Sequence, residues 1–374
     1  MLRIGLLYSY NDNWIGGTYY IQNLVRALHS LEPLSQPHLV IFTHTEKEFE
    51  TIVKATGYQH ISLARMPQYS ITDRAINKLA MLILKKRLIL KRLPEIDVLF
   101  PVVNDELLRN DQKRIFWIPD LQEHYLPEFC SKEEIASRKF LQANLYPRSE
   151  KVIFSSQATL DNYKSIYPLA KTKNFVVHFA VVHPEYESLD LEVLKGKYSI
   201  TGNYFIAPNQ FWAHKNHRVI VDAIKILKAR GLEIQMVFTG KENDYRNPGY
   251  FDSLKSYVNE SRVSDNILFL GFIDRADQLK LMKSAIAVVQ PSRFEGWSTV
   301  VEDAKAMGQY VVASDIDVHF EQIQKNVSFF KPDDPKTLAD HLDRLSRQAP
   351  VITSMNYRKN IEEFATGFLN AINA

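Results

Sequence analysis

Residues 291–308 form the stretch whose residue types and spacing could best bind a ligand. The apolar run Ala285–Gln290 before it is typical of a buried strand, and Pro291 and Gly296 then break the chain. A helix is predicted to restart at Ser298–Thr299, because both residue types are favoured at helix starts. A strand, a tight turn and a helix N-terminus can bind phosphate, since free backbone N–H groups and the positive end of the helix dipole meet there.

Three carboxylates flank this turn: Glu295 before it, and Glu302 and Asp303 just inside the helix. A carboxylate does not bind phosphate, but it accepts hydrogen bonds from the hydroxyls of a sugar or a ribose. Thr299-x-x-Glu302 also has the form of a capping box, in which Glu302 serves the helix itself. The stretch therefore predicts a ligand that carries both phosphates and hydroxyls.

A second loop, Pro208–His217, follows the predicted strand Tyr204–Ala207 and so lies at the same sheet edge. Lys215 in this loop could neutralise a diphosphate as a point charge. His214 and His217 have His-x-x-His spacing, but neither a carboxylate nor a cysteine joins them, so we predict no metal site.

The first half of the chain has two further candidate loops. Gly16-Gly17 follows the predicted strand Leu2–Tyr8, and this pair is either a phosphate-binding turn or a turn alone. Asp120, Glu123 and His124 follow the predicted strand Arg114–Ile118, and the histidine could exchange a proton near neutral pH. The alternative for these three is ordinary loop polarity.

The 374 residues predict two domains of ordinary size. A hydrophobic content of 45% and a charged content of 24% are those of a soluble globular protein. The net charge of +3 says little about partners, and we expect no nucleic-acid partner. The single Cys130 excludes an internal disulfide framework and fits a reducing compartment. Since neither a leader peptide nor a stretch of membrane-spanning length is found, we expect a cytoplasmic protein.

Strands and helices alternate along the chain, which predicts parallel sheets covered by helices on both faces. The fold class is therefore α/β, with two Rossmann-like doubly wound domains facing each other across a cleft. We predict an N-terminal domain at 1–183, a linker at 184–202, a second domain at 203–350 and a terminal helical segment at 351–374. Such sheets bind ligands at the carboxyl ends of their strands.

Residues 72–93 predict a long basic helix in which lysine and arginine alternate with leucine and isoleucine. Lys85, Lys86 and Arg87 form its densest basic cluster. Such a helix could lie on anionic lipid, which would make the protein peripheral at the inner membrane face. The alternative is a domain helix with a solvated charged face.

Several enzyme classes lack their motifs here. Gly-x-Ser-x-Gly and the Walker-A pattern are absent, and Gly-x-Gly-x-x-Gly does not follow the first strand. These absences argue against a hydrolase of that type, a P-loop ATPase and a nicotinamide enzyme. Asp315-Ile316-Asp317 has Asp-x-Asp spacing but lies too late in the chain for the usual metal-bound nucleotide sugar.

Phe294–Gly308 (FEGWSTVVEDAKAMG), with Asn209–His217 (NQFWAHKNH) upstream, resembles the GT-B glycosyltransferases of family 4. These enzymes are retaining and use nucleotide sugars, and the resemblance covers nearly the whole chain. Their acidic motif is a Glu, seven residues and a second Glu. By this resemblance Glu295 contacts the transferred sugar, and Asp303 stands at the second position and binds the ribose hydroxyls.

The resemblance also implies roles for other positions. The family usually has an arginine where this chain has Gln210, so either His214 or His217 substitutes for it, or the phosphates rely on Lys215 and backbone groups. It often has a histidine where this chain has Pro119, which leaves Asp120 and His124 as acceptor-side catalytic residues beside Glu295 and Lys215. The resemblance further implies that the first domain binds the acceptor, that the second binds the nucleotide sugar, and that a final helix at 351–374 crosses back to the first domain. The implied nucleotide-sugar-binding residues are Gly16, Gly17, Asn209, Gln210, Lys215, Gly240, Phe272, Ile273, Glu295, Gly296, Trp297, Ser298, Thr299 and Asp303.

The function implied is transfer of a hexose, with retention, from a nucleotide-diphosphate sugar to a saccharide or lipid-linked acceptor in cell-surface glycan synthesis. The resemblance implies neither a cofactor nor a metal. A nucleotide-sugar 2-epimerase of the same fold and a non-catalytic partner subunit that binds sugar nucleotides remain alternatives. The sequence leaves open the sugar, the base, the acceptor and the oligomeric state.

Overall fold

The computed structural model describes residues 1–10, 15–66, 68–84, 88–89, 94–102, 113–147 and 150–374. Within them, two parallel β-sheets carry helices on both faces, as the alternating sequence pattern predicts. The predicted α/β class with two doubly wound units is therefore confirmed.

The first sheet has the strand order β3-β2-β1-β4-β5-β6-β7, and every neighbouring pair is parallel. Its strands are β1 (Arg3–Leu7), β2 (His38–Thr43), β3 (Ile61–Arg65), β4 (Val98–Val102), β5 (Lys113–Ile118), β6 (Lys151–Phe154) and β7 (Lys173–Val176). The order reverses next to β1, so the chain winds outward in both directions from the middle of the sheet.

The helices between these strands are α1 (Ile15–His29), α2 (Glu46–Thr56), α3 (Ile71–Leu84), α4 (Gln122–Tyr125), α5 (Lys132–Leu145) and α6 (Gln157–Ile166). Helices α2 and α5 begin with capping boxes, whose N-cap residues are Thr45 and Ser131. In each box the N-cap side chain accepts a hydrogen bond from the backbone N–H of the glutamate three residues later, and the side chain of that glutamate accepts one from the backbone N–H of the N-cap residue. These local signals fix where each crossover begins.

The second sheet has the order β10-β9-β8-β11-β12-β13, and its pairs are again parallel. Its strands are β8 (Tyr204–Ala207), β9 (Gln235–Phe238), β10 (Ile267–Phe269), β11 (Val288–Gln290), β12 (Val311–Ser314) and β13 (Val327–Phe330). Its helices are α7 (Leu191–Lys197), α8 (His217–Ala229), α9 (Tyr250–Glu260), α10 (Arg275–Ser284), α11 (Thr299–Ala306), α12 (Asp317–Gln322) and α13 (Pro335–Arg347). The sequence pattern misses β13, and α7 lies inside the stretch predicted as a linker.

The final helix, α14 (Arg358–Asn373), packs on the first unit after the second sheet is complete. Phe364 and Phe368 on its apolar face are fully buried. Their rings lie 5.6 Å from Tyr20 and 5.0 Å from Phe100, measured between centroids. The prediction that the last helix crosses back to the first domain is confirmed.

The predicted helix at 72–93 is too long. α3 ends at Leu84, and Leu88 and Ile89 are not helical. The side chain of Asn77 forms hydrogen bonds of 2.8–3.1 Å with the backbone of both residues, so Leu88 and Ile89 lie beside the middle of α3. Lys85, Lys86 and Arg87, the basic cluster predicted for membrane contact, lie outside the described residues. Across the described ranges, no helix is long and apolar enough to span a membrane.

His217 begins α8 and is fully buried. Its ring stacks on Phe211 at 4.7 Å and meets the edge of Phe238 at 5.4 Å, between centroids. Burial, with a smaller contribution from the Lys215 charge, lowers the pKa of His217 to about 3. The folded protein therefore holds this ring neutral at pH values where an unfolded chain protonates it.

We expect the His217→Phe variant to lose less stability on acidification than the parent. The folded pKa lies below the ordinary value of 6.5, so this contribution is complete above pH 6.5 and is lost as the pH falls toward 3. The parent loses up to about 1.4 kcal/mol per pH unit through this group, and phenylalanine removes that loss. Melting temperatures of the parent and the variant between pH 7 and 4.5 measure this loss of stability. The exposed His44→Phe variant is the control. An equally steep decline in the His217→Phe variant would contradict the assignment.

Candidate functional site

A cavity of about 390 Å³ lies between the carboxyl ends of the strands of the two sheets. Loops from both units line it, including the start of α1 and the segments after β5, β8, β9 and β11. Ligands of doubly wound sheets bind at this edge. The cavity is therefore the candidate site, and it is called the cleft below.

The cleft brings together most of the residues predicted from the sequence. Those that line it are Gly16, Asp120, Asn209, Gln210, Lys215, Gly240, Phe272, Ile273, Glu295, Gly296, Trp297, Ser298, Thr299 and Asp303. Gly17 lies in the first turn of α1, where it is buried beside the lining residue Gly16. The Gly-Gly pair is thus the start of a helix rather than a loop.

His124 does not face the cleft, which corrects its prediction as an acceptor-side catalytic residue. It lies on the one-turn helix α4, where the sequence predicts a loop. Its Nε2 is 2.8 Å from Oε1 of Gln142 on α5, and its ring packs near Tyr167. Asp120, in contrast, lines the cleft and accepts a hydrogen bond from Nη1 of Arg138 at 2.8 Å.

The turn after β11 packs directly against the first unit. A Cβ atom on Gly296 would lie 1.9 Å from the carbonyl oxygen of Pro119, so only glycine fits this contact. The indole Nε1 of Trp297 donates to the carbonyl of Phe179 at 3.1 Å, and its ring stacks on His178 at 4.3 Å. These contacts hold the turn, and the helix that follows it, at the cleft.

The helix α11 points its N-terminus into the cleft. Ser298 is the N-cap and accepts the Val301 amide at 3.4 Å, while Gln322 accepts the Ser298 amide at 3.0 Å. The predicted capping box from Thr299 to Glu302 is therefore wrong, because the helix begins at Thr299. The first N–H groups of α11 have no acceptor within the helix, and they and the helix dipole favour an anion here.

Lys215 and Glu295 meet in the cleft although they come from different loops. The distance from Nζ to Oε1 is 2.6 Å, and the side chains are 15% and 9% exposed. Nε2 of Gln290 also donates to Oε1 of Glu295 at 2.8 Å. The cation predicted for phosphate and the carboxylate predicted for the sugar therefore occupy adjacent positions.

The loop after β8 and the loop after β9 approach each other closely at Gly240. This residue has φ 154°, and a Cβ atom there would lie 2.1 Å from the carbonyl oxygen of Asn209. Asn209 is fixed in turn, since its Nδ2 donates to Oε1 of Gln290 at 2.8 Å. The approach places Asn209, Gln210 and Gly240 side by side on the cleft wall.

Glu302 and Asp303 have different surroundings. Glu302 is fully buried and accepts hydrogen bonds from Lys305, Gln322 and Tyr357 at 2.8–3.2 Å, so it holds α11, α12 and the entry to α14 together. Asp303 lines the cleft, as the resemblance implies for the ribose-binding position.

The carboxylate of Asp303 is held by two side chains. Its Oδ1 accepts from Arg275 at 2.5 Å and lies 3.0 Å from Nε2 of His183. Burial raises the pKa of Asp303, but the Arg275 charge and the His183 contact outweigh burial and hold that pKa below its ordinary value. Asp303 is therefore ionised at neutral pH and can accept hydrogen bonds.

Neither His214 nor His217 supplies the charge of the arginine replaced at Gln210. Burial lowers the pKa of His214 well below its ordinary value, and the nearby charges of Lys215 and Arg246 add to this effect. His217 is neutral for the same main reason and does not line the cleft. His217 therefore does not take the place of the arginine, because it lies outside the cleft lining, and a role of His214 as a neutral hydrogen-bonding group stays a prediction.

Sequence reasoning missed three arginines that line the cleft: Arg138, Arg246 and Arg275. Arg275 starts α10 immediately after its N-cap Asp274, and its guanidinium also lies 5.3 Å from the ring centre of Tyr19. Only its position after Ile273, a predicted site residue, could have suggested it. Arg138 lies within α5, where helical spacing alone gives no sign of a ligand site.

A search for groups of three or more histidine, cysteine, aspartate or glutamate side chains that could hold a metal ion finds none within the described part of the chain.

Comparison with known proteins relates the second unit to a family. Residues 195–366 match the family model described as Glycosyl transferases group 1. The chain is 26% identical over 251 residues to the O-antigen chain mannosyltransferase RfbU of Salmonella typhimurium, a match that covers 67% of this chain. That match spans 65% of the length of the mannosyltransferase.

Solved structures resemble the whole chain at low identity. Anabaena Alr3699/HepE, solved in complex with UDP-glucose, gives a TM-score of 0.64 at 14% identity and covers 99% of this chain and 94% of its own. WaaG, a glycosyltransferase involved in lipopolysaccharide biosynthesis, gives a TM-score of 0.59 at 11% identity, and the match covers 99% of this chain and 98% of the WaaG chain. These two solved structures show that the fold of this chain is GT-B.

We expect the Glu302→Gln variant to be destabilised by about 3 kcal/mol, because it leaves the buried Lys305 ammonium without its counter-charge. Chemical denaturation of the purified variant measures the change. The exposed Glu362→Gln, which loses an ion pair with Arg358, is the matched control and should change stability by less than about 1 kcal/mol. If the two variants unfold alike, Glu302 does not hold these helices together.

Proposed function

We propose that the protein is a retaining, metal-independent glycosyltransferase that moves a hexose from a nucleotide-diphosphate sugar to a hydroxyl of a saccharide or lipid-linked acceptor. Its role is in cell-surface glycan synthesis. The observation that carries the proposal is the convergence of Lys215, Glu295 and the N-terminus of α11 in the cleft. In this proposal the lysine and the helix N-terminus bind the diphosphate, and the glutamate binds the sugar.

The diphosphate of the donor binds to Lys215 and to the first amides of α11. The amides at the start of α1, at Gly16 and Gly17, contribute from the opposite unit. All three elements stabilise the negative charge that develops on the leaving diphosphate, which is the largest electrostatic requirement of the reaction. In the free protein Glu295 neutralises Lys215, so the arriving diphosphate exchanges one anionic partner of the lysine for another.

The nucleoside binds further along the same wall. Asp303 accepts hydrogen bonds from the ribose hydroxyls, and its ionised state supports this role. The base lies against Phe272 and Ile273, where the Phe272 side chain is 57% exposed and available for contact. The RfbU likeness supports a hexose donor, and the UDP-glucose complex of HepE supports a nucleotide sugar in this fold.

In the transfer step the acceptor hydroxyl attacks the anomeric carbon from the face that the diphosphate leaves. The bond from the anomeric carbon to the phosphate oxygen breaks, and a bond to the acceptor oxygen forms. The leaving phosphate oxygen takes the acceptor proton, so no protein nucleophile is required. Asp120 orients the acceptor from the first unit, and Glu295 contacts the sugar. Closure of the two units limits hydrolysis by excluding water.

A panel of nucleotide sugars, incubated with and without a lipid extract as acceptor, tests the proposal. Release of nucleoside diphosphate that depends on the acceptor is the expected result. Inversion at C2 of the sugar without acceptor would identify an epimerase instead. Tight binding without turnover under every condition would identify a non-catalytic sugar-nucleotide-binding subunit.

We expect Lys215→Ala to lower kcat/KM by about 100-fold or more, since it removes a cation from the developing charge of the leaving group. The variant should still fold, because Gln290 continues to donate a hydrogen bond to Glu295, although its melting temperature should fall since the Glu295 carboxylate loses its counter-charge. Lys225→Ala, on the exposed side of α8, is the control and should retain full activity. Unchanged turnover in Lys215→Ala would refute its role at the diphosphate.

A peripheral membrane position on the cytoplasmic side is also proposed, on a specific observation. Helix α3 exposes a run of large apolar side chains, with Leu79 at 59%, Leu82 at 65% and Ile83 at 69%. Arg74 and Lys78 lie on the same helix. Apolar side chains flanked by basic ones suit insertion into an anionic lipid surface, where a lipid-linked acceptor would be found.

We expect a Leu79→Ser, Leu82→Ser and Ile83→Ser triple variant to bind phosphatidylglycerol vesicles at least about 10-fold more weakly, because it removes the inserting apolar area. Vesicle co-sedimentation measures the binding. A Leu34→Ser and Val351→Ser variant, which changes exposed apolar residues elsewhere, is the control. Equal binding by the triple variant and the parent would discard this membrane face.

A further inference from the structure

Arg246 is a buried cation in the cleft with an unused donor. Its side chain is 7% exposed, and it lines the cleft. The Nη2 atom of its guanidinium has no hydrogen-bond partner among the residues that the structure describes. A buried charged donor left without an acceptor is unfavourable, so this atom indicates a missing anionic or polar partner.

Two contacts fix the Arg246 guanidinium in place. Its Nε donates to Oδ1 of Asp244 at 3.0 Å, and its Cζ lies 4.3 Å from the centre of the Trp212 ring. Trp212 belongs to the loop of Lys215, whose amide donates to the Trp212 carbonyl at 2.9 Å. The stack therefore places Arg246, from the loop after β9, against the loop that carries Lys215.

Other atoms beside Arg246 support a polar ligand at this position. Nδ1 of His214 and Nε2 of Gln122 are also buried and lack a partner within the described residues, and both side chains line the cleft. His214 and Arg246 both pack near the Trp212 ring, which lies 5.6 Å from the His214 ring centre and 4.3 Å from Cζ of Arg246. All three atoms belong to side chains that line the cleft.

The loop that carries Arg246 also reaches the opposite unit. Tyr245 donates a hydrogen bond through its hydroxyl to the carboxylate of Glu134 on α5. The contact joins the two units, and both residues line the cleft. A ligand held by Arg246 therefore lies between the two units.

We propose that Arg246 binds the diphosphate of the donor together with Lys215 and replaces the arginine that family 4 enzymes have at the position of Gln210. The inference rests on the proposed function and adds a further substrate-binding residue to it. The planar guanidinium suits this task because it can donate two parallel hydrogen bonds to phosphate oxygens. Stacking on Trp212 restricts the guanidinium before the ligand arrives, so less conformational entropy is lost on binding.

Isothermal titration of Arg246→Gln with nucleoside diphosphates and monophosphates tests the proposal. The probes are UDP, GDP and ADP, with UMP, GMP and AMP as their partners. We expect the Kd of the bound diphosphate to rise about 10- to 100-fold, since a charge-assisted hydrogen bond is lost. The ratio of monophosphate Kd to diphosphate Kd should decrease in the same variant. A purely structural role for Arg246 would not change that preference selectively.

Two further variants keep the test decisive. Arg246→Lys keeps the charge without the planar fork, and we expect a smaller rise in Kd, of about 3- to 10-fold. Arg218→Gln is the matched control, because Arg218 also stacks on an aromatic ring, Tyr257 at 3.9 Å, but lies outside the cleft lining. It should bind diphosphate as the parent does. If Arg246→Gln does not fold, the Arg246→Lys result decides.

The outcomes separate this inference from the proposed function. A parent protein that binds none of the nucleoside diphosphates would overturn the proposed function itself. A parent that binds one of them, with Arg246 variants that bind it equally well, would overturn only the role of Arg246. A raised KM for the acceptor with unchanged diphosphate affinity would also overturn it and would assign Arg246 to the acceptor.

Discussion

The close contact between Gly296 and Pro119 is the constraint on which the cleft depends. The carbonyl of Pro119 occupies the space that any Cβ on residue 296 would fill, so the turn after β11 touches the first unit directly. Trp297 extends this contact by bonding the carbonyl of Phe179. With the turn fixed in this way, the N-terminus of α11 and the Glu295 carboxylate face the opposite wall. The ligand site is therefore built at the junction of the two sheets.

Charges in the cleft are arranged as pairs. Lys215 faces Glu295, Arg275 faces Asp303 and Arg138 faces Asp120, at distances of 2.5–2.8 Å. Each pair limits the desolvation penalty of its partners while the cleft is empty. A ligand with phosphates and hydroxyls can satisfy both members, because phosphate accepts from the cation and hydroxyls donate to the carboxylate. The pairing thus suits one class of ligand and disfavours simple anions.

Local sequence patterns are enough to predict the fold class and the turn after β11 that lines the cleft. Alternating strands and helices predict the parallel sheets, and residues 285–308 contain a strand, a turn and a helix start. Sequence patterns do not reveal cleft residues whose partners lie far away in the chain. Arg138 and Arg275 act through carboxylates 18 and 28 residues away, and neither spacing is distinctive. His124 was misplaced because a single helical turn at Gln122–Tyr125 directs it toward α5, where Gln142 binds it.

We propose above all that the cleft binds a nucleoside diphosphate on the wall formed by the second sheet. A crystal structure of the protein with the nucleoside diphosphate that it binds would test this proposal. We expect the two phosphates between Lys215 and the N-terminus of α11, the ribose at Asp303 and the base beside Phe272. Density for the nucleotide on the first sheet, or with its phosphates remote from Lys215, would contradict it.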